Sequence, residues 1–192
     1  MEAGTTTRDA ILARAVNLAS VEGLEGLTIG RLATELEMSK SGLFRHFGSK
    51  QELQLATVER ATALFRREVI EPAGAAEPGL DRLRALIEGY LSYLEREVLP
   101  GGCFVSAAAA EFDGRPGPVR DAIAAWSRDW GRALEREAEV AVEHGELPAE
   151  PDPAQLVFEL GAYATRANAM YQLYGDRRAF DRARAAIARS LG

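Results

Sequence analysis

Cysteine, histidine and lysine are nearly missing: one, two and two of them in 192 residues. A single thiol, Cys103, excludes an intrachain disulfide framework and a cysteine-rich zinc site. His46 and His144 lie far apart in the chain, which argues against a histidine-based metal centre. No run approaches the roughly 20 apolar residues of a membrane span. The opening Met-Glu-Ala-Gly-Thr-Thr-Thr lacks the basic start and apolar core of a secretory signal. A phosphate loop, His-Glu-x-x-His, Gly-x-Ser-x-Gly and a dinucleotide fingerprint are all missing, so the common enzyme classes lose their signatures. Glu111 and Asp113 near the aromatic segments read as solvated helix-end charges rather than an acid–base pair. The expectation is a reduced, cytoplasmic protein that is not an enzyme, with no metal, no cofactor and no membrane contact.

What is present is ordinary for a globular chain, with 47% apolar and 27% charged residues. The formal net charge of −6 argues at first against a nucleic-acid partner. Its distribution argues the other way. Residues 1–50 carry six basic and six acidic side chains, whereas 51–192 carry seventeen basic and twenty-three acidic ones. Within 31–50, Arg31, Lys40, Arg45 and Lys50 face only Glu35 and Glu37, and both lysines of the chain lie there. A local basic patch serves phosphate binding even on an acidic protein.

Helical periodicity dominates, and no segment alternates long enough to predict a sheet. Apolar spacing and punctuation predict nine helices: about 8–22, 28–36, 39–47, 49–69, 80–98, 104–112, 118–144, 153–174 and a last one to Leu191. Thr28 and Ser39 are placed to cap the second and third, Ser49 the fourth. Asp152-Pro153 is an N-cap followed by proline in the first turn. The fold class is all-α: a three-helix helix-turn-helix domain over 1–50, then a six-helix bundle over 51–192.

The stretch Thr28 to Lys50 carries most of the functional information. Two short helices separated by Glu37-Met38-Ser39 match a helix-turn-helix. At 100° per residue Leu43 and Phe47 point together toward a core, with Ser41 and Arg45 opposite and Gly42 and Phe44 on the flanks. Lys40 stands at the amino end, within reach of phosphate or base. Such a face suits the major groove, where arginine pairs bidentately with guanine. The competing reading is a helical hairpin buried in an ordinary bundle.

The array Gly23, Thr28-Ile29, Leu32-Ala33, Met38-Ser39-Lys40, Leu43-Phe44-Arg45-His46-Phe47 and Ser49-Lys50 resembles the TetR family of bacterial transcriptional regulators. The resemblance is specific over about residues 8–55. It implies a homodimer on a palindromic double-stranded operator, acting as a repressor that a small-molecule effector releases through the C-terminal region. It also implies that Thr28, Lys40, Phe44, His46 and Lys50 lie on the phosphate side and Ser41 and Arg45 face the groove, with Ser39 and Gly42 in the same interface. Two positions depart from the family: Phe44 stands where a phosphate-reaching tyrosine is common, and Gly42 where a base-touching side chain is.

Outside the head the sequence offers sets rather than motifs. Tyr90, Phe104, Phe112, Trp126, Trp130, Phe158 and Tyr163, with Cys103, are candidates to line a cavity for an apolar or aromatic ligand; a packed core is the plainer reading. Cys103, lacking a resolving partner, reads as buried or pocket-lining rather than as a redox sensor. Leu160, Ala164, Ala167 and Tyr171, with Phe180, Ala183 and Ile187 of the last helix, are candidates for a dimer interface, against burial within the monomer. A different class remains open: a helical dimer that binds a small molecule or protein without sequence-specific DNA binding.

Overall fold

Hydroxyl and carboxylate caps set most helix starts. The computed structural model describes residues 7–192, and all regular structure among them is helical. α1 spans Thr7–Glu22, α2 Ile29–Glu35 and α3 Lys40–Phe47. Thr28 Oγ1 accepts from Arg31 N at 3.0 Å, Ser39 Oγ from Gly42 N at 3.1 Å and Ser49 Oγ from Glu52 N at 3.1 Å. Each satisfies an amide that the first helical turn leaves without a partner. α4 runs Lys50–Phe65, continues through a π-helical turn at Arg66–Ile70 and closes with Glu71–Ala73.

That extension is a finding beyond the sequence reading, which stops the helix near Val69 on account of Pro72. In the π turn bonding reaches back five residues, as from Glu71 N to Arg66 O. Pro72, with no N–H to give, follows directly on a turn whose ladder is already irregular. α5 spans Leu80–Glu95, α6 Phe104–Phe112, α7 Pro118–Glu143, α8 Pro153–Tyr174 and α9 Arg178–Leu191. α5 ends three residues before its expected limit, and Glu97 beyond it takes a left-handed φ of 53°.

Contacts gather the chain into two compact units, each built from two stretches. The first comprises the described part of Met1–Leu64 with Leu99–Trp126. Its buried side chains include Ile11, Leu12 and Val16 of α1, Leu32 of α2, Leu43 and Phe47 of α3, and Phe104 and Phe112 of α6. Each fully buried leucine or phenylalanine contributes about 1.5–3 kcal/mol of transfer free energy. α6 is tied to the end of α1 by polar contacts as well. Glu111 of α6 accepts from Leu24 N at 3.0 Å and Glu25 N at 2.8 Å. Gly101 N donates to Ser20 Oγ at 3.2 Å, and a Cβ at Gly101 would stand 1.7 Å from Ser20 O. Only glycine permits that approach.

The second unit comprises Phe65–Val98 and Ser127–Gly192. α8 and α9 form a hairpin about Gly175-Asp176-Arg177, with Leu156, Leu160, Ala164 and Ala167 of α8 and Phe180, Ala183 and Ile187 of α9 buried. Arg184 of α9 pairs with Glu88 at 2.8 Å and Glu95 at 2.8 Å, both on α5. Those carboxylates raise the arginine's pKa further, Glu88 most, so it stays charged. No helix among the described residues is long and apolar enough to cross a membrane.

Candidate nucleic-acid interface

α3 is a two-faced helix. Leu43 is fully buried and Phe47 nearly so, whereas Phe44 is 56% exposed and Lys40, Ser41, Arg45 and His46 all face solvent. The connection from α2 runs from Leu36 to Ser39, with Glu37 in the left-handed region at φ 53°. Ser39 serves two neighbours: its Oγ caps Gly42 N and lies 3.3 Å from Ser41 Oγ. Lys40, Ser41, Phe44 and Arg45 line an open groove with Ile29 and Gly30 of α2. The Lys40 stem lies over Gly30, which brings the amine toward Thr28 at the start of α2. A Cβ at Gly42 would meet only Ser39 Oγ, at 3.0 Å.

Electrostatics divide the basic residues of the head into two classes. Arg31 is committed internally: it bonds Glu22 of α1 (Nε to Oε2, 2.9 Å) and Glu35 of its own helix at 3.2 Å. Arg14 of α1 pairs with the same Glu35, so the four side chains fasten α2 to α1. These arginines hold the Glu35 carboxyl below its ordinary range, the hydrogen bond from Arg31 contributing most. Lys50 Nζ is also engaged, at 2.9 Å from Glu25 Oε1. Lys40 and Arg45 have no ion pair among the described residues, and their charge is the part presented outward. Counting charge over 31–50 did not reveal this split. Glu35, four residues beyond Arg31, was the available signal; Glu22 and Glu25 lay outside the window.

The structure brings together part of the aromatic set. In the second unit Phe65 stands at the centre of a cluster, 5.5 Å from Tyr90, 5.4 Å from Tyr93 and 5.1 Å from Trp130 between ring centroids. Tyr90 and Trp130 are 6.2 Å apart. Phe65 and Tyr93 were not among the candidates, although Tyr93 stands three residues from Tyr90 on the same helix. Cys103, Phe104, Phe112 and Trp126 belong to the first unit. Cys103 is the buried N-cap of α6, its sulfur accepting from Ser106 N at 3.4 Å. Phe158 is a correction: 71% exposed on α8, it stands outside the aromatic cluster. Tyr163 is half-buried on the same helix.

The candidate dimer residues need a larger correction. Leu160, Ala164, Ala167, Phe180, Ala183 and Ile187 are buried within the single chain, in the packing of α8 and α9. Tyr171 donates to Glu97 Oε1, and its ring lies tilted at 55° to that of Phe180 with centroids 5.3 Å apart. The small residues serve close helix contact inside the monomer, which the sequence had kept as the alternative. The opposite face of α8 is the exposed one, with Phe158 at 71% and Leu173 at 73%, while Tyr174, 63% exposed, ends the helix.

Comparison with known proteins follows the same division. Residues 11–57 match the family model of bacterial regulatory proteins of the tetR family, and residues 79–187 that of the tetracyclin repressor-like C-terminal domain. Among solved structures the chain is similar to a TetR transcriptional regulator from Chloroflexus aurantiacus J-10-FL, at 25% identity and a TM-score of 0.87 over 95% of this chain and 92% of that one. It is similar in fold to a transcriptional regulator from Agrobacterium tumefaciens (19% identity, TM-score 0.85, 96% and 97% covered). A further likeness of fold is to AibR in complex with isovaleryl coenzyme A and operator DNA (22% identity, TM-score 0.77, 96% and 97% covered). No curated protein matches the sequence.

Proposed function

Because the chain belongs to the TetR family of bacterial transcriptional regulators, we propose that it acts in the cytoplasm as a homodimeric repressor released from a palindromic operator by a small ligand. It is a DNA-binding regulator and not an enzyme. The observation that carries the DNA-binding part of this reading is the outward face of α3, where Lys40, Ser41 and Arg45 flank Phe44 and neither charge has an ion pair among the described residues. Residues 1–50 read the DNA, with Thr28, Ser39, Gly42, His46 and Lys50 around the groove-facing side chains, and residues 51–192 sense and dimerise.

Three features support the rest of the reading. The Phe65–Tyr90–Tyr93–Trp130 cluster, its first three rings buried, is the aromatic core that an apolar or aromatic effector would have to part in order to be gripped there. AibR, similar in fold, is bound to an acyl coenzyme A. For dimerisation, the exposed Phe158 and Leu173 on one face of α8 give two copies apolar side chains to bury, and a two-fold axis makes that face self-complementary. Release by a ligand requires that it bind the DNA-incompetent conformation better, and DNA must then weaken the ligand by the same factor.

A mobility-shift and footprint assay on the intergenic DNA beside its gene tests the reading. A protected palindrome at moderate salt is the expected outcome. A dimer that gives no specific shift there, yet binds an apolar ligand, would establish the helical binding protein without DNA recognition instead.

A further inference from the structure

Two cations from different parts of the first unit converge on one carboxylate oxygen. Glu25, in the connection between α1 and α2, accepts from Lys50 Nζ at 2.9 Å through Oε1. Arg115, in the segment joining α6 to α7, places Nη1 at 3.3 Å from that same atom. The second oxygen, Oε2, lies 3.5 Å from Gln54 Nε2. The main chain beneath is fixed, since Glu111 accepts from Glu25 N at 2.8 Å. Lys50, through its hydrogen bond first and Arg115 through its charge, keep the Glu25 carboxyl below its ordinary range and hence ionised.

Neither cation is bound to this place by burial. Lys50 is less than half exposed and Arg115 more than half, so both arms have room to move. In this same position the Arg115 guanidinium also lies 5.8 Å from the centre of the Phe112 ring, so ring and carboxylate both face it. A second cation beside the same carboxylate repels the first, so the net hold on each is weaker than the hold on one alone. The position of Arg115 therefore sets how firmly Glu25 holds Lys50.

We infer that Glu25 restrains Lys50 from DNA phosphate and that Arg115 relieves the restraint by competing for the same carboxylate oxygen. With Arg115 beside the carboxylate, Glu25 holds Lys50 more loosely and the amine is easier for DNA to draw away; with Arg115 gone, Glu25 holds Lys50 more firmly. The segment after α6 thereby tunes the affinity of the reading head without touching DNA. This inference rests on the reading of Lys50 as a phosphate contact.

The test uses the full-length protein and a labelled duplex of arbitrary sequence, about 30 base pairs long, because phosphate contacts are independent of sequence. Anisotropy titrations at several salt concentrations are run on Glu25→Gln, Lys50→Met, Arg115→Ala and the pairwise combinations. Each phosphate contact adds about 0.9 to the log–log salt slope, or about threefold in affinity between 50 and 200 mM salt. Glu25→Gln is expected to tighten binding by about that factor per head and to steepen the slope. The gain is expected to vanish in Lys50→Met, and Arg115→Ala is expected to weaken the wild type but not Glu25→Gln. If Lys50→Met leaves affinity and slope unchanged, Lys50 is not a phosphate contact and the inference falls with that reading. If Lys50→Met weakens binding but Glu25→Gln tightens it equally in both backgrounds, Glu25 acts by bulk charge and only the inference falls. Tightening by Arg115→Ala would overturn the competition.

Discussion

Adding one methyl group at Gly101 places carbon 1.7 Å from Ser20 O, 2.2 Å from its carbonyl carbon and 2.9 Å from Val21 N. All three are main-chain atoms at the end of α1, so no side-chain rotation relieves the overlap. Ordinary contact begins near 3.5 Å, which means α1 and the α6 approach must part by roughly 2 Å. Such overpacking costs about 1–3 kcal/mol. Separation also breaks the Gly101 N–H to Ser20 Oγ bond, worth about 1 kcal/mol. The sum for Gly101→Ala is about 3 kcal/mol, and in a chain of this length that lowers Tm by about 6–12 °C. Gly131→Ala is the matched control. It lies inside α7 with nothing within 4 Å of the added carbon. The same methyl there is expected to stabilise by about 0.5–1 kcal/mol, since glycine loses more chain entropy on folding. Thermal melts at one fixed protein concentration check both variants. If Gly101→Ala melts with the wild type, or Gly131→Ala falls as far as Gly101→Ala, the close-approach argument is wrong.

Three further outcomes are expected. Arg45→Ala loses discrimination among operator variants, by about 1–3 kcal/mol for a bidentate base contact; an unchanged ranking of sequences in competition binding would show that Arg45 contacts phosphate only. Phe158→Glu with Leu173→Glu converts the dimer to monomer in light scattering, whereas Leu160→Ala leaves a buried cavity and costs about 2–5 kcal/mol of stability. If the double variant stays dimeric, the exposed face of α8 is not the interface. Acid should act through Glu35, whose folded pKa is depressed by Arg31 and then Arg14. Its contribution is complete above the ordinary glutamate value and disappears as pH falls through the lower folded one. Melts between pH 7 and 3 are therefore expected to drop on the acid side, and less steeply in Glu35→Gln.

Helix boundaries were legible because their causes are local. Thr28, Ser39, Ser49 and Asp152 each cap the helix that follows them, and each does so with an oxygen three residues from the amide it serves. The facing of α3 followed from the same periodicity, which puts Leu43 and Phe47 inward. What was not legible lies in which partner a residue meets across the chain. Ala164 and Ala167 permit close helix contact, but nothing in their spacing says whether α9 of the same chain or another molecule supplies the opposing helix. The charge of Arg31 was counted toward DNA although Glu22 and Glu35 absorb it, because a net charge carries no geometry. The end of α4 was misread for the opposite reason: the rule about proline is local, and the π turn ahead of Pro72 suspends it.

The polar ties between α6 and α1 bear on how such a regulator can be recombined. Glu111 supplies both acceptors for the amides of Leu24 and Glu25, and Ser20 is met by Gly101, although these partners lie some eighty residues further along the chain. A chimaera that grafts residues 1–50 onto an unrelated sensor would carry the reading helix but leave α1 with two bare amides and an unfilled seat. A transplantable cassette must include the Leu99–Trp126 stretch as well, so the exchangeable module is discontinuous in the gene. Recombination at a single crossover therefore cannot move the head intact, and new pairings of reader and sensor must arise by substitution within the joined structure.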